Sequence, residues 1–248
     1  MKIAIRKNNT SRKNSTINGQ YLINSKSPFA VKESYVKLRT NLMFCMKADK
    51  KESCKIFAIT SSRPSEGKSI TAANIAISFA MLGKKTLLID CDLRKPTQRK
   101  IWNVDIKSGI CDFLAKIRPL EFVNVEDLPL SIICTGTIPP NPSELLSSDS
   151  MKQFIKECSK HYDFIIIDTP PINTVADAQI ISSFVDGTLI VARSGVTTLD
   201  ELKTAVDKVT HSEGNFCGVL LNGMNIKSAK YSYKYKYDSK YEYNYSYE

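Results

Sequence analysis

From Lys55 onward, short runs of consecutive apolar residues alternate with longer stretches whose apolar positions recur every three or four residues. The short runs predict strands at 56–60, 86–90, 131–134, 164–168, 188–192 and 216–221. The longer stretches predict helices at 69–82, 108–116, 149–161, 176–183 and 198–212. Phe164-Ile165-Ile166-Ile167 has no polar residue at alternate positions, as a parallel strand covered on both faces requires. Strand–helix alternation of this kind predicts an α/β fold with a doubly wound, mostly parallel sheet.

Both ends break the pattern. Residues 1–27 are rich in Asn, Ser and Lys without apolar periodicity, and read as a flexible arm. Over 28–46 the apolar residues Phe29, Val36, Leu38, Leu42, Met43 and Cys45 follow a Ser27-Pro28 start signal, which predicts one helix. The organised domain then extends over 28–226. Residues 227–248 form a low-complexity tail without an aliphatic residue after Ala229, and with tyrosine at 231, 233, 235, 237, 241, 243, 245 and 247.

The chain has 248 residues and a formal charge of +10. Residues 1–55 hold 13 Lys/Arg against 3 Asp/Glu, so the whole excess sits there and the remainder balances. Such a segment suits an acidic protein surface, anionic lipid or nucleic acid, or serves as a solubilising arm. The longest uncharged stretch, 128–143, contains four prolines and cannot span a membrane as a helix. The amino terminus lacks the apolar core of a secretory signal, so a cytoplasmic protein is expected. Seven scattered cysteines without a CxxC pair read as reduced thiols, and His161 and His211 lie in no metal-ligand cluster.

Three motifs carry chemistry. Ser62-Arg63-Pro64-Ser65-Glu66-Gly67-Lys68-Ser69 follows the first strand of the alternating region and matches the phosphate-binding loop GxxxxGK[ST], with Ser62 in place of the first glycine. A strand turning into a helix aims free amides and a positive helix end at phosphate oxygens. Gly67 permits close backbone approach, Lys68 reaches the β/γ-phosphates and the Ser69 hydroxyl can ligate Mg2+. In the second motif Asp90 and Asp92 follow an apolar strand at its carboxyl end, placed to hold Mg2+ or accept a proton. In the third, Phe164-Ile165-Ile166-Ile167-Asp168 has the form of a Walker B strand, whose carboxylate meets Mg2+.

The segments TSSRPSEGKS, LLIDCDLRKP and FIIIDTPP, with the terminal tyrosine cluster, resemble the bacterial tyrosine kinases of capsule and exopolysaccharide synthesis over about residues 28–248. The resemblance implies a P-loop NTPase-like fold that transfers phosphate from ATP to tyrosine. It implies that Ser65, Glu66, Gly67, Lys68, Ser69 and Ile70 bind the nucleotide, and that Ser69, Asp92 and Asp168 organise Mg2+. Lys68, Asp90 and Asp92 would be catalytic, Asp90 as the base toward the tyrosine hydroxyl. Asn222 stands where related P-loop ATPases place an adenine contact, though a turn asparagine is the plain alternative. The acceptors would be Tyr231, Tyr233, Tyr235, Tyr237, Tyr241, Tyr243, Tyr245 and Tyr247.

The family also assembles rings through a glutamate–x–x–arginine–x–x–arginine motif on its first helix. Glu33 and Arg39 match it, while Val36 replaces the middle arginine. The septum-site and plasmid-partition ATPases share the fold, but Pro64 and Ser65 stand where they have glycines. The resemblance further implies recruitment to the inner membrane face by a membrane-embedded polysaccharide co-polymerase activator, protein substrates and no nucleic acid. The alternative is a P-loop ATPase acting as a nucleotide-controlled assembly switch at the membrane or on DNA.

Overall fold

The continuous apolar runs form strands whose alternate residues enter two different cores. The computed structural model describes residues 8–10, 21–45 and 54–224. Its strands are β1 (Asn8–Thr10), β2 (Lys55–Ser61), β3 (Thr86–Asp90), β4 (Val123–Val125), β5 (Leu130–Ile133), β6 (Phe164–Asp168), β7 (Gly187–Arg193) and β8 (Phe216–Asn222). They form one sheet in the order β1-β4-β5-β3-β6-β2-β7-β8. Every neighbouring pair is parallel except β4 and β5.

The helices are α1 (Phe29–Phe44), α2 (Lys68–Ala80), α3 (Gln98–Ile101), α4 (Ile110–Leu114), α5 (Pro142–Ser147), α6 (Asp149–Cys158), α7 (Asp177–Ser182) and α8 (Leu199–His211). Phe57, Ile59, Leu88 and Ile166 face α2 and share a core with its Ile75 and Phe79. Ala58, Leu87, Ile89, Ile165 and Ile167 point the other way, toward Ile110, Phe154 and Ile181. This period-two division covers both faces of the parallel strands, which is why those strands tolerate no polar alternation. Among the described residues no helix is long and apolar enough to cross a membrane.

The end of the arm belongs to the fold. Residues 21–27 read as flexible for want of periodicity, yet Leu22 and Ile23 are buried. The Ile23 N–H donates to Asn74 Oδ1 at 2.8 Å, and Asn74 Nδ2 donates to the Tyr21 carbonyl at 3.0 Å. Two apolar residues are too few to show a period, but enough to anchor a segment. Ile23→Ala is expected to cost about 2–5 kcal/mol in urea unfolding.

The sheet order sets the site. β3, β6 and β2 lie side by side, with Asp90 in register with Asp168 and Asp168 with Ile59. Their carboxyl ends therefore bring together residues near 62, 90 and 168, at the end of an α/β sheet where ligands bind.

Candidate active site

β2 runs into a loop whose form depends on two residues with left-handed backbone, Ser65 at φ 67° and Gly67 at φ 96°. A Cβ at Gly67 would lie 2.2 Å from Asn222 Nδ2, so glycine is required both by conformation and by space. Glu66 is fully buried and shapes the loop. Its Oε2 accepts from the Arg63 N–H at 3.0 Å, and its Oε1 accepts from the Thr197 hydroxyl. Asn222, at the end of β8, donates from Nδ2 to the Glu66 carbonyl at 2.9 Å. It thus reaches the phosphate loop from the sheet edge. Ile70 packs on the core beneath α2. Arg63 forms an ion pair with Glu201 of α8 at 3.5 Å.

Gly67 caps α2, and the first two helical residues, Lys68 and Ser69, turn into the protein. The Lys68 ammonium lies 2.8 Å from Asp92 Oδ2, 3.4 Å from Asp168 Oδ1 and 3.1 Å from Ser69 Oγ. Burial alone would lower the Lys68 pKa, but the Asp168 and Asp92 carboxylates outweigh it and hold it above the usual lysine value. A cation therefore already occupies the middle of a set of hard oxygen donors, the donor chemistry that suits Mg2+. Ser62 Oγ, in the loop, and Thr97 Oγ1 are buried without a hydrogen-bond partner, a rare condition for a hydroxyl.

Asp90 and Asp92 do not act as a matched pair. β3 ends at Asp90, so the strand parity that would point both acids the same way stops there. Asp92 turns to Lys68, whereas Asp90 turns to the chain that follows. Asp90 Oδ1 accepts from the Asp92 N–H at 3.2 Å, and Oδ2 accepts from the Thr97 and Gln98 N–H groups at 3.1 and 2.9 Å. The 92–98 loop is wound around this carboxylate. Burial, then the charge of Asp168, push the Asp90 carboxyl up to about 8, against the pull of the Gln98 N–H.

Gln98 joins the group without any sequence signal of its own. It is fully buried, and its Nε2 donates to Asp168 Oδ2 at 2.9 Å and to the Ser69 carbonyl at 3.0 Å. Its Oε1 accepts from Trp102 Nε1 at 3.0 Å, which fixes the amide orientation. The loop is further pinned by Arg94, whose guanidinium meets both carboxylate oxygens of Asp177 at 2.8 and 3.1 Å.

Arg39 lies apart from this site and bonds within its own chain. It donates to the Ser78 carbonyl at 2.6 Å and to Ser78 Oγ at 3.2 Å, tying α1 to the last turn of α2. The eight tail tyrosines and residues 1–7 and 11–20 of the basic arm lie outside the described residues.

The arrangement is a phosphate-binding loop beside a buried lysine and three acidic residues. Comparison with known proteins agrees. The AAA domain family model matches residues 54–215. The protein CapB of Staphylococcus aureus is 37% identical over 228 residues, covering 90% of this chain and 97% of that protein. Tyrosine-protein kinase YwqD of Bacillus subtilis (strain 168) is 40% identical over 204 residues, covering 81% and 85%. The kinase domain of the Escherichia coli tyrosine kinase ETK superposes with a TM-score of 0.75 at 32% identity, over 81% of this chain and 78% of that one.

Proposed function

The chain belongs to the bacterial tyrosine kinases, and on that premise we propose that it transfers the γ-phosphoryl group of ATP to the C-terminal tyrosines of a second copy, within capsular or exopolysaccharide synthesis. The observation that carries this reading is the Lys68 ammonium held among Ser69, Asp92 and Asp168 at the start of α2. Phosphoryl transfer needs little covalent work from the protein and depends on positioning and charge neutralisation.

In this reading Lys68 turns from the carboxylates to the β/γ-phosphates, while the amides of Glu66 to Ile70 line the phosphate side. Ser69, Asp92 and Asp168 would hold Mg2+, and that ion, when bound, would neutralise phosphate charge. The tyrosine oxygen forms the new bond to the γ-phosphorus, and the bond to the bridging oxygen of ADP breaks. The hydroxyl proton passes to Asp90. A carboxylate has about four acceptor positions, and three are taken by the loop N–H groups. Asp90 is fully buried, so the fourth would reach the tyrosine only once the 92–98 loop shifts to admit it. Gln98 keeps Asp168 aimed at the site.

Assembly would rest on α1, whose exposed Phe29, Val31, Val36 and Met43 offer an apolar surface. Glu33 and the donors of Arg39 that Ser78 does not use would meet a neighbour there. Recruitment to the membrane would come from the cytoplasmic segment of a polysaccharide co-polymerase. Each phosphotyrosine adds roughly −1.5 to −2 charge, so a fully modified tail would be repelled from the acidic site.

Intact-mass analysis after incubation with Mg2+ and ATP tests the reading, with and without the activator's cytoplasmic peptide. Successive phosphate additions are expected on the full chain and none on a chain ending at Lys230. Lys68-dependent ATP hydrolysis without transfer under either condition would replace the kinase by an assembly-switch ATPase.

A further inference from the structure

A cleft of about 420 Å³ opens beside Asp90 and is lined by Arg99, Lys107 and Arg118 together with Thr135 and Thr137. Asp105 is its one acidic lining residue, and it pairs with Arg99 at 2.7 Å. Lys107 and Arg118 leave the lining with a net positive charge. Arg118 donates one N–H to the Lys107 carbonyl at 3.0 Å, which fixes the guanidinium, and, against burial, its charge also helps hold the Asp112 carboxyl below its usual value. Two further acids lie nearby. Asp112 accepts from the Gly109 and Thr137 N–H groups and from the Thr137 hydroxyl, and Glu121 accepts from the Lys107 main-chain N–H.

The cleft shares a wall with the chain that holds Asp90. Thr135 follows β5, and its hydroxyl donates to the Asp90 carbonyl at 3.0 Å. Arg99 directly follows Gln98, whose N–H holds the Asp90 carboxylate. β5 and β3 are neighbours, so Cys134 and Thr135 of the cleft follow the strand beside the one that ends in Asp90. In an extended peptide, residues two apart share a face and are separated by about 7 Å. The tail repeats tyrosine at that interval, at 231, 233, 235 and 237 and again at 241, 243, 245 and 247.

We propose that this cleft binds the phosphate of a phosphotyrosine two residues away from the acceptor, so that each phosphorylation of an entering tail primes the next. The inference rests on the kinase reading above and deepens it. A phosphate brings three acceptor oxygens and nearly two negative charges, which arginine meets with paired N–H groups. The same cleft disfavours the unmodified run 231–237, which carries Lys234 and Lys236. The run 241–248 carries Glu242 and Glu248 and no lysine, so it enters first.

The test compares two peptides of residues 241–248 as substrates of the full chain, one unmodified and one phosphorylated on Tyr243. The primed peptide is expected to react about tenfold faster, the scale of one charge-assisted hydrogen bond. The ratio of the two rates, which cancels any general loss of activity, is expected to fall to near one in the double variant Lys107→Gln/Arg118→Gln. Equal rates on both peptides in the unmodified enzyme, or a ratio unchanged in the variant, would overturn the inference and leave the kinase reading intact.

Transfer to neither peptide nor to the tail would instead remove the kinase reading. Fluorescence anisotropy of the labelled phosphopeptide, without nucleotide, then decides the cleft by itself. Binding weakened about tenfold in the double variant supports it, and undiminished binding overturns it. Inorganic phosphate competing as well as the phosphopeptide would overturn it too, since the cleft would then be a site for free anions.

Discussion

Lys68→Met is expected to reduce phosphoryl transfer by at least roughly 10²–10³-fold, the loss seen when one preorganised charge-stabilising donor is removed. The substitution preserves much of the side-chain volume and deletes the ammonium. It has a second consequence, because Lys68 also neutralises Asp92 and Asp168 inside the protein. With that partner gone, two buried carboxylates face each other unpaired, and breaking a buried ion pair from one side costs about 3–5 kcal/mol. Urea unfolding is expected to show the deficit, and the thermal stabilisation that Mg2+-ATP gives the unmodified chain is expected to vanish. Transfer within tenfold of the unmodified chain would remove Lys68 from the reaction.

Asp90→Asn is expected to separate transfer from binding. Asparagine can keep one oxygen toward the Thr97 and Gln98 N–H groups, but its amide then opposes the Asp92 N–H, donor against donor. One buried N–H without a partner costs about 1–3 kcal/mol of stability. Loss of the proton acceptor is expected to lower transfer to tyrosine by roughly 10²–10⁴-fold. Nucleotide affinity, read with a fluorescent ATP analogue, is expected to stay near that of the unmodified chain because Lys68 and the phosphate loop are untouched. Rapid transfer by this variant would exclude Asp90 from the proton's path and leave it as the anchor of the 92–98 loop.

Two strands that carry the site, β3 and β6, were legible to the residue and β2 to within one residue at each end, and the reason is physical. β3 and β6 are apolar runs closed by an aspartate, a sharp change that marks where the chain leaves the core for the ligand end of the sheet. The predicted helix ends fall within about three residues of those observed, the usual uncertainty where end turns fray. The short elements β1, α3, β4 and α5 were not legible, β1 lying within the arm read as flexible, because three, four, three and six residues do not complete enough turns or alternations to show a period. The same limit hid the burial of Leu22 and Ile23.

Within the site, the phosphate loop was readable because its chemistry is local. Gln98 was not, since it acts on Asp168, 70 positions away, and nothing adjacent to it marks the contact. Arg39 is another long-range case. Its guanidinium meets Ser78, 39 positions on, and nothing adjacent to it marks that contact.

That last contact has a mechanical consequence. α2 is buried along nearly its whole length and spans about 20 Å at 1.5 Å per residue. Its far end is bolted to α1 through Arg39, its middle to residues 21–23 through Asn74, and its near end is the phosphate loop. A rod clamped this way cannot slide on its own, so α1 and the loop move as parts of one solid body. A subunit that leaned on α1 would therefore lean on the phosphate site. Whatever bias such a load gave to phosphate binding, phosphate binding would return to the docking in equal measure.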